Sequence, residues 1–168
     1  MATSLFVIDG SKASRKAINS IFGPDNPVQW CSNNKIRNVL DYLPEEHKQQ
    51  VKASMKAAFA LEADKDMARP KKLAQWLERE YPSAAGSLLE GLQEMFTVNR
   101  LGLPKVLHRC LCTTSIIESP YSGVRQKTRR VTRWRDGSMV LRWTASALLA
   151  TEKRFRRIMG YPTVDTAI

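Results

Sequence analysis

Only two stretches of the chain read as β-strands, and both fall within the first 31 residues. Leu5-Phe6-Val7-Ile8 is a β-branched and aromatic run that stops at Asp9-Gly10, a pair suited to ending a strand. Val28-Gln29-Trp30-Cys31 comes after a turn at Asn26-Pro27. Short continuous apolar runs of this kind fit buried, parallel strands whose C-terminal ends open onto a loop. Between them, Ala13, Ala17, Ile18 and Ile21 recur at helical spacing over Lys12 to Phe22, and Gly23-Pro24 stops the helix. Two strands are too few for a compact parallel sheet. The pattern therefore predicts an α/β chain that is mostly helical, with the other strands of its sheet upstream of Met1.

From Lys35 to Leu111 the spacing is helical almost throughout. Ile36, Val39, Leu40 and Leu43 form one stripe. Pro44-Glu45-Glu46 has the form of a helix first turn, with proline early and acids at the positive end of the dipole. Val51, Met55, Ala58 and Phe59 continue the stripe. Leu73, Trp76, Leu77 and Tyr81 mark a second helix stopped by Pro82, and Leu88, Leu89, Leu92, Met95 and Phe96 mark a third. Gly102-Leu103-Pro104 precedes a short helical piece through Leu111. Thr113-Thr114-Ser115 offers N-caps for a helix that begins Ile116-Ile117-Glu118. An apolar stretch, Met139 to Ala150, is expected to continue as helix to Met159.

Charge separates the end of the chain from the rest. The 168 residues hold 27 Lys and Arg against 16 acids, a net charge of +11. Between Arg125 and Arg157 stand nine arginines and two lysines, opposed only by Asp136 and Glu152, so this segment alone is +9. Such a surplus favours a polyanionic partner, and arginine suits bidentate contact with phosphate. Arg125, Lys127, Arg129, Arg130, Arg133 and Arg135 are the candidate DNA-contacting residues. Trp134 and Trp143 lie among the cations, and Trp134 is expected to pack in a core. No apolar run approaches the roughly 18 residues that span a bilayer, and the first ten residues lack the basic start of a secretory signal. Three cysteines fit a reducing cytosol.

Two acids and one thiol group could carry chemistry. Asp9 comes directly after a buried strand, where a carboxylate can face a crevice and bind metal; it could equally serve the turn or cap the next helix. Glu118 lies in an apolar run at a helix start, where it could enter a site or simply favour the dipole. His108, Cys110 and Cys112 have one-residue spacing between the cysteines and no evident fourth ligand, unlike a zinc site; buried small hydrophobes are the expected role.

In order along the chain, Val7-Ile8-Asp9-Gly10, Phe22-Gly23-Pro24, Val28-Gln29-Trp30-Cys31 through Lys35-Ile36-Arg37-Asn38-Val39, Thr113-Thr114-Ser115-Ile116-Ile117-Glu118-Ser119 and Arg129-Arg130-Val131-Thr132-Arg133-Trp134 resemble Mutator-type bacterial insertion-sequence transposases. The resemblance implies a ribonuclease-H-like catalytic domain with an Asp, Asp, Glu triad, in which Asp9 matches the second aspartate and Glu118 the glutamate. It implies residues 1–34 as the end of the sheet portion, 35–112 as an all-α insertion, 113–160 as the glutamate helix with the basic DNA-contacting segment, and 161–168 as a tail. Asn34 stands where the family often has histidine, and Ser115 where it commonly has asparagine.

The implied chemistry is metal-dependent cleavage and strand transfer of double-stranded DNA at terminal inverted repeats, by a homo-oligomer in the bacterial cytoplasm at the nucleoid. In-line displacement at phosphorus develops charge on both the entering and leaving oxygens, which two Mg²⁺ or Mn²⁺ ions about 4 Å apart stabilise. Carboxylates are the ligands such hard cations take. The first triad aspartate and the terminal-repeat-binding region are expected upstream of Met1, so the chain by itself is expected to be inactive. The alternative reading is a non-catalytic basic DNA-binding protein, or an inhibitor of transposition derived from a transposase.

Overall fold

The computed structural model describes residues 4–60, 67–158 and 160. The tail expected over 161–168 lies outside the described residues. The chain divides into two compact units, Met1–Thr113 with Gly160–Ile168, and Thr114–Met159.

The first unit opens with β1 (Phe6–Ile8), α1 (Lys12–Phe22) and β2 (Val28–Trp30). The strands run parallel, with Phe6 opposite Val28, Val7 opposite Gln29 and Ile8 opposite Trp30. This is the expected strand–helix–strand start, with Cys31 passing from the strand to the N-cap of the next helix. Phe6 N–H donates to Pro27 O and Cys31 N–H to Ile8 O. By the alternation of a parallel ladder, the backbone groups of Val28 and Trp30 then point away from β1, and those of Val7 point away from β2. No described residue adds a strand beside Val7.

Seven described helices complete this unit: α2 (Ser32–Leu40), α3 (Glu45–Phe59), α4 (Ala68–Glu80), α5 (Pro82–Leu89), α6 (Leu92–Met95), α7 (Thr97–Arg100) and α8 (Lys105–Leu111). Their apolar faces and β2 build the core, which includes Trp30, Val39, Val51, Met55, Leu77, Leu88 and Phe96. Pro44 is the N-cap of α3, just ahead of Glu45 and Glu46. No described helix is long and apolar enough to cross a membrane.

Strand β2 is buried at all three positions, including Gln29. Its amide is fully used: Nε2 donates to Trp30 O (2.8 Å) and Met95 O (2.9 Å), and Oε1 accepts from Val98 N–H (2.9 Å). Thr97 Oγ1 donates to Val28 O at 2.7 Å. The outward carbonyls of β2 are thus satisfied by side chains rather than by a third strand, and α6 and α7 occupy that edge.

Three expected helices differ, two in the face they bury and one in its continuity. Helix α1 buries Ile18 and packs Phe22 against Phe6 with tilted rings, centroids 4.9 Å apart, while Ala13 and Ala17 are exposed and Ile21 is 71% exposed. Two strands offer a face too narrow for the whole stripe. In α4 the buried line is Pro70, Ala74 and Leu77, and Trp76 is exposed. The expected third helix breaks at Glu90-Gly91, where Gly91 has φ +66°. A Cβ at Gly91 would lie 2.6 Å from Trp30 Cε3, so the ring of Trp30 leaves no room for a side chain at the break.

The second unit is a helical hairpin, α9 (Ser115–Thr128) and α10 (Gly137–Glu152). The helices meet closely at Gly123, where a Cβ would lie 2.6 Å from Thr151 Oγ1 and Cγ2. The helix expected to reach Met159 ends at Glu152. Lys153, Arg154, Arg156 and Arg157 would have set like charges at i,i+3 and i,i+4, which disfavours helix.

Replacing Gln29 by Met is expected to destabilise the protein by about 2–4 kcal/mol, because Val98 N–H and the carbonyls of Met95 and Trp30 would lose a buried partner. Urea denaturation measures this. A loss below about 0.5 kcal/mol would mean that the side-chain ladder does not hold the edge.

Candidate functional site

Asp9 stands at the C-terminal end of β1, exposed. Its Oδ1 accepts Ser11 N–H at 2.9 Å, closing a turn of the kind aspartate favours. The cap of α1 is not Asp9 but Ser11, whose Oγ accepts Ser14 N–H. One carboxylate oxygen is therefore used in orienting the residue, and the other has no partner among the described residues. Gly10 comes next with φ +95°, and a Cβ there would lie 3.2 Å from Trp30 Cε3. The buried indole thus backs the turn that presents Asp9. The C-terminal edge of parallel strands is where such folds place their ligands.

Glu118 lies in the first turn of α9, also exposed. Its Oε1 accepts the hydroxyl of Thr114 at 2.6 Å, and its N–H donates to Thr114 O at 3.0 Å. An acid here is favoured by the helix dipole, and the threonine fixes its rotamer. Asp9 is carried by the first unit and Glu118 by the second, so neither unit holds both.

The six basic candidates surround the bend of the hairpin. Arg125 and Lys127 lie in the last turn of α9, where cations suit the dipole, and Arg129 is its C-cap. Arg130, Arg133 and Arg135 lie on the connection to α10. All six are exposed, and none forms an ion pair among the described residues. Asp136, the neighbouring acid, is the N-cap of α10 and accepts Met139 N–H at 2.6 Å. Trp134 is not in a core as expected but 39% exposed, and Trp143 is 44% exposed. Ala147 is the only buried hydrophobic residue described on the hairpin helices, which leaves no interior for a second indole. Arg135, Arg142 and Trp143 line one open hollow of about 540 Å³ beside Asp136.

The family model for transposases of the Mutator family matches residues 1–157, which include Asp9, Glu118 and the whole basic segment. The chain belongs to the Mutator family of transposases. A search of curated proteins found no match.

In this transposase chain the thiols lie at the start of α2 (Cys31) and at the end of α8 (Cys110 and Cys112). Cys31 and Cys112 are buried, and no disulfide joins the three thiols. Cys112 Sγ lies 3.5 Å from the His108 ring nitrogens. Burial pushes the Cys112 thiol up to about 12, with Cys31 adding to the rise, and burial pushes His108 down from its ordinary value. Among the described residues, no three His, Cys, Asp or Glu side chains gather as a metal centre.

The fold also gathers residues to which the sequence pattern gave no weight. Lys56, Arg100, Lys105 and Arg109 come from α3, α7 and α8 and line one groove of about 1020 Å³. They are separated by up to 53 positions in a stretch whose charges nearly cancel. The available sign was Lys105 and Arg109 at i,i+4 on one helix, without an acid between them.

In the folded transposase chain at about pH 7.5, Cys112 is expected to resist alkylation by iodoacetamide, and all three thiols to react once the chain is unfolded. Mass-spectrometric mapping reads this. Prompt labelling of Cys112 in the native state would contradict its burial as a protonated thiol.

Proposed function

We propose that this chain forms the part of a DDE transposase that carries the second aspartate and the glutamate of the metal-binding triad, within a ribonuclease-H-like catalytic domain. In this reading residues 1–34 complete the sheet portion, 35–112 are the all-α insertion, and 113–160 carry the glutamate helix and the DNA-contacting segment. The observation that carries the proposal is the pair of exposed carboxylates, each oriented by one local hydrogen bond, on a family match that spans both.

Asp9 and Glu118 fit a hard divalent ion, Mg²⁺ or Mn²⁺, because both offer carboxylate oxygen to solvent. When bound, such ions stabilise charge on the oxygens entering and leaving phosphorus. The chain's own residues do the rest. Ser11 N–H and Thr114 Oγ1–H fix the two carboxylates, each leaving oxygen lone pairs for a ligand. Arg125, Lys127, Arg129, Arg130, Arg133 and Arg135 hold DNA phosphates, and their exposure without carboxylate partners among the described residues leaves their charge available. The partner is double-stranded DNA at the terminal inverted repeats of an insertion sequence, bound by a homo-oligomer at the bacterial nucleoid. Asp9 and Glu118 are the only residues of this sequence assigned to the triad, and two carboxylates under-coordinate a pair of ions, so the polypeptide by itself is expected not to cleave DNA.

Asp9→Asn or Glu118→Gln should each weaken Mn²⁺ binding about tenfold or more, read by titration calorimetry, while duplex binding without metal persists. Unchanged metal binding in both variants would leave only the non-catalytic DNA-binding reading. Replacing Arg129, Arg130 and Arg133 together by Gln should lower the salt dependence of duplex binding by roughly two to three counterions. Metal-dependent nicking of plasmid by the polypeptide alone, lost in Asp9→Asn, would overturn its proposed inactivity.

A further inference from the structure

The groove lined by Lys56, Arg100, Lys105 and Arg109 lies wholly within the first unit. It shares no residue with the basic hairpin, and the match to the family does not account for it. All four cations are exposed. No described carboxylate lines the groove, and none pairs with any of the four. Like charges brought together in this way repel, and Lys105 and Arg109 do so at i,i+4 on α8. A groove whose described lining sets four cations together with no carboxylate among them is electrostatically complementary to an anion.

Two details sharpen the complementarity. Arg100 is held in place by neutral acceptors, Gln93 O at 2.8 Å and Thr97 Oγ1 at 3.1 Å, so its guanidinium is positioned without being neutralised. The groove also takes in Ser32 and Asn33 at the start of α2. Ser32 N–H donates to Cys112 O at 2.9 Å, and the positive end of the α2 dipole adds to the cations. Burial lowers the pKa of His108, on the same wall, from its ordinary value, so its ring adds little to the positive charge.

We infer that this groove is a second DNA-contacting surface, which takes the phosphodiester backbone of a duplex. The inference rests on the reading of the chain as a DNA transposase and adds a contact surface to it. The backbone of DNA fits better than a small phosphorylated ligand for two reasons. The cations are spread over three helices and are solvent-exposed, as contacts to a charged strand are. The space, about 1020 Å³, is also at the upper limit of small-molecule sites. Contacts made here position DNA without reading its sequence.

The test uses the full chain and a duplex of arbitrary sequence, roughly 30 base pairs long, with binding followed by fluorescence anisotropy from about 50 to about 300 mM salt. Lys56→Gln, Lys105→Gln and Arg109→Gln are combined, leaving Arg100 and its structural hydrogen bonds intact. Lys52→Gln, Lys71→Gln and Lys72→Gln, exposed outside the groove, remove the same charge as a control. The groove variant should bind on the order of tenfold more weakly at about 150 mM salt, with a salt slope reduced by roughly two to three, while the control changes little. In the unaltered protein the duplex should protect Lys56 and Lys105, but not Lys52, Lys71 and Lys72, from amine acetylation, a readout that does not depend on a variant folding. Equal behaviour of groove and control variants, or absence of selective protection, overturns the inference. If Arg129, Arg130 and Arg133 prove necessary while the groove variant binds normally, the groove falls and the transposase reading stands. If the unaltered chain binds no duplex, both fall.

Discussion

A buried glutamine carries the architecture of the first unit. Strand β2 has one strand neighbour and one edge against helices, and backbone groups left unpaired in a core cost about 1–3 kcal/mol each. Gln29 resolves this by reaching across the edge to Trp30 O, Met95 O and Val98 N–H, and Thr97 closes Val28 O. The short helices α6 and α7 are consequently fixed against the sheet, although they are too short to be stable alone. The helical stretch and the strands become one body because polar side chains stand in for a strand.

Trp30 extends that body towards the candidate site. One edge of its indole fills the space beside Gly10 and Gly91, two glycines 81 positions apart that both adopt positive φ. Lys35 lies over the ring, 4.9 Å from its centroid, and donates to Ser87 O and Glu90 O at the end of α5. Burial depresses its pKa, with Glu90 and Glu94 opposing the fall. The turn that presents Asp9 is therefore backed by a fully packed residue, which is how an exposed carboxylate can be held in a fixed direction.

The second unit is organised on a different principle. Its two helices approach through Gly123 and Thr151 and bury little of their own apolar surface; Leu141 is 70% and Leu149 63% exposed. Its order comes from local devices: Asp136 capping α10, Thr114 holding Glu118, and cations at the C-terminal end of α9. The basic bend is consequently displayed rather than buried, with Trp134 and Trp143 partly exposed among its arginines.

The strand–helix–strand start, the helical character of the remaining chain, the basic segment and its resemblance to Mutator transposases were legible in residue order alone. Each rests on local pattern: β-branched runs ended by Asp-Gly, apolar periodicity, charge density and short motifs. What local pattern could not supply was the choice among equivalent faces. Ile21 and Trp76 fit their helical stripes but stay exposed, because a stripe shows which residues can be buried and not how wide a surface awaits them. The space that admits only glycine at 91 is set by a ring 61 positions earlier in the chain, and the helix end at Glu152 by repulsion among neighbouring cations. The groove of Lys56, Arg100, Lys105 and Arg109 was invisible for the same reason. Charges that cancel when summed along the chain are separated in space once helices pack, so composition fixed the total charge and tertiary structure decided where it collects.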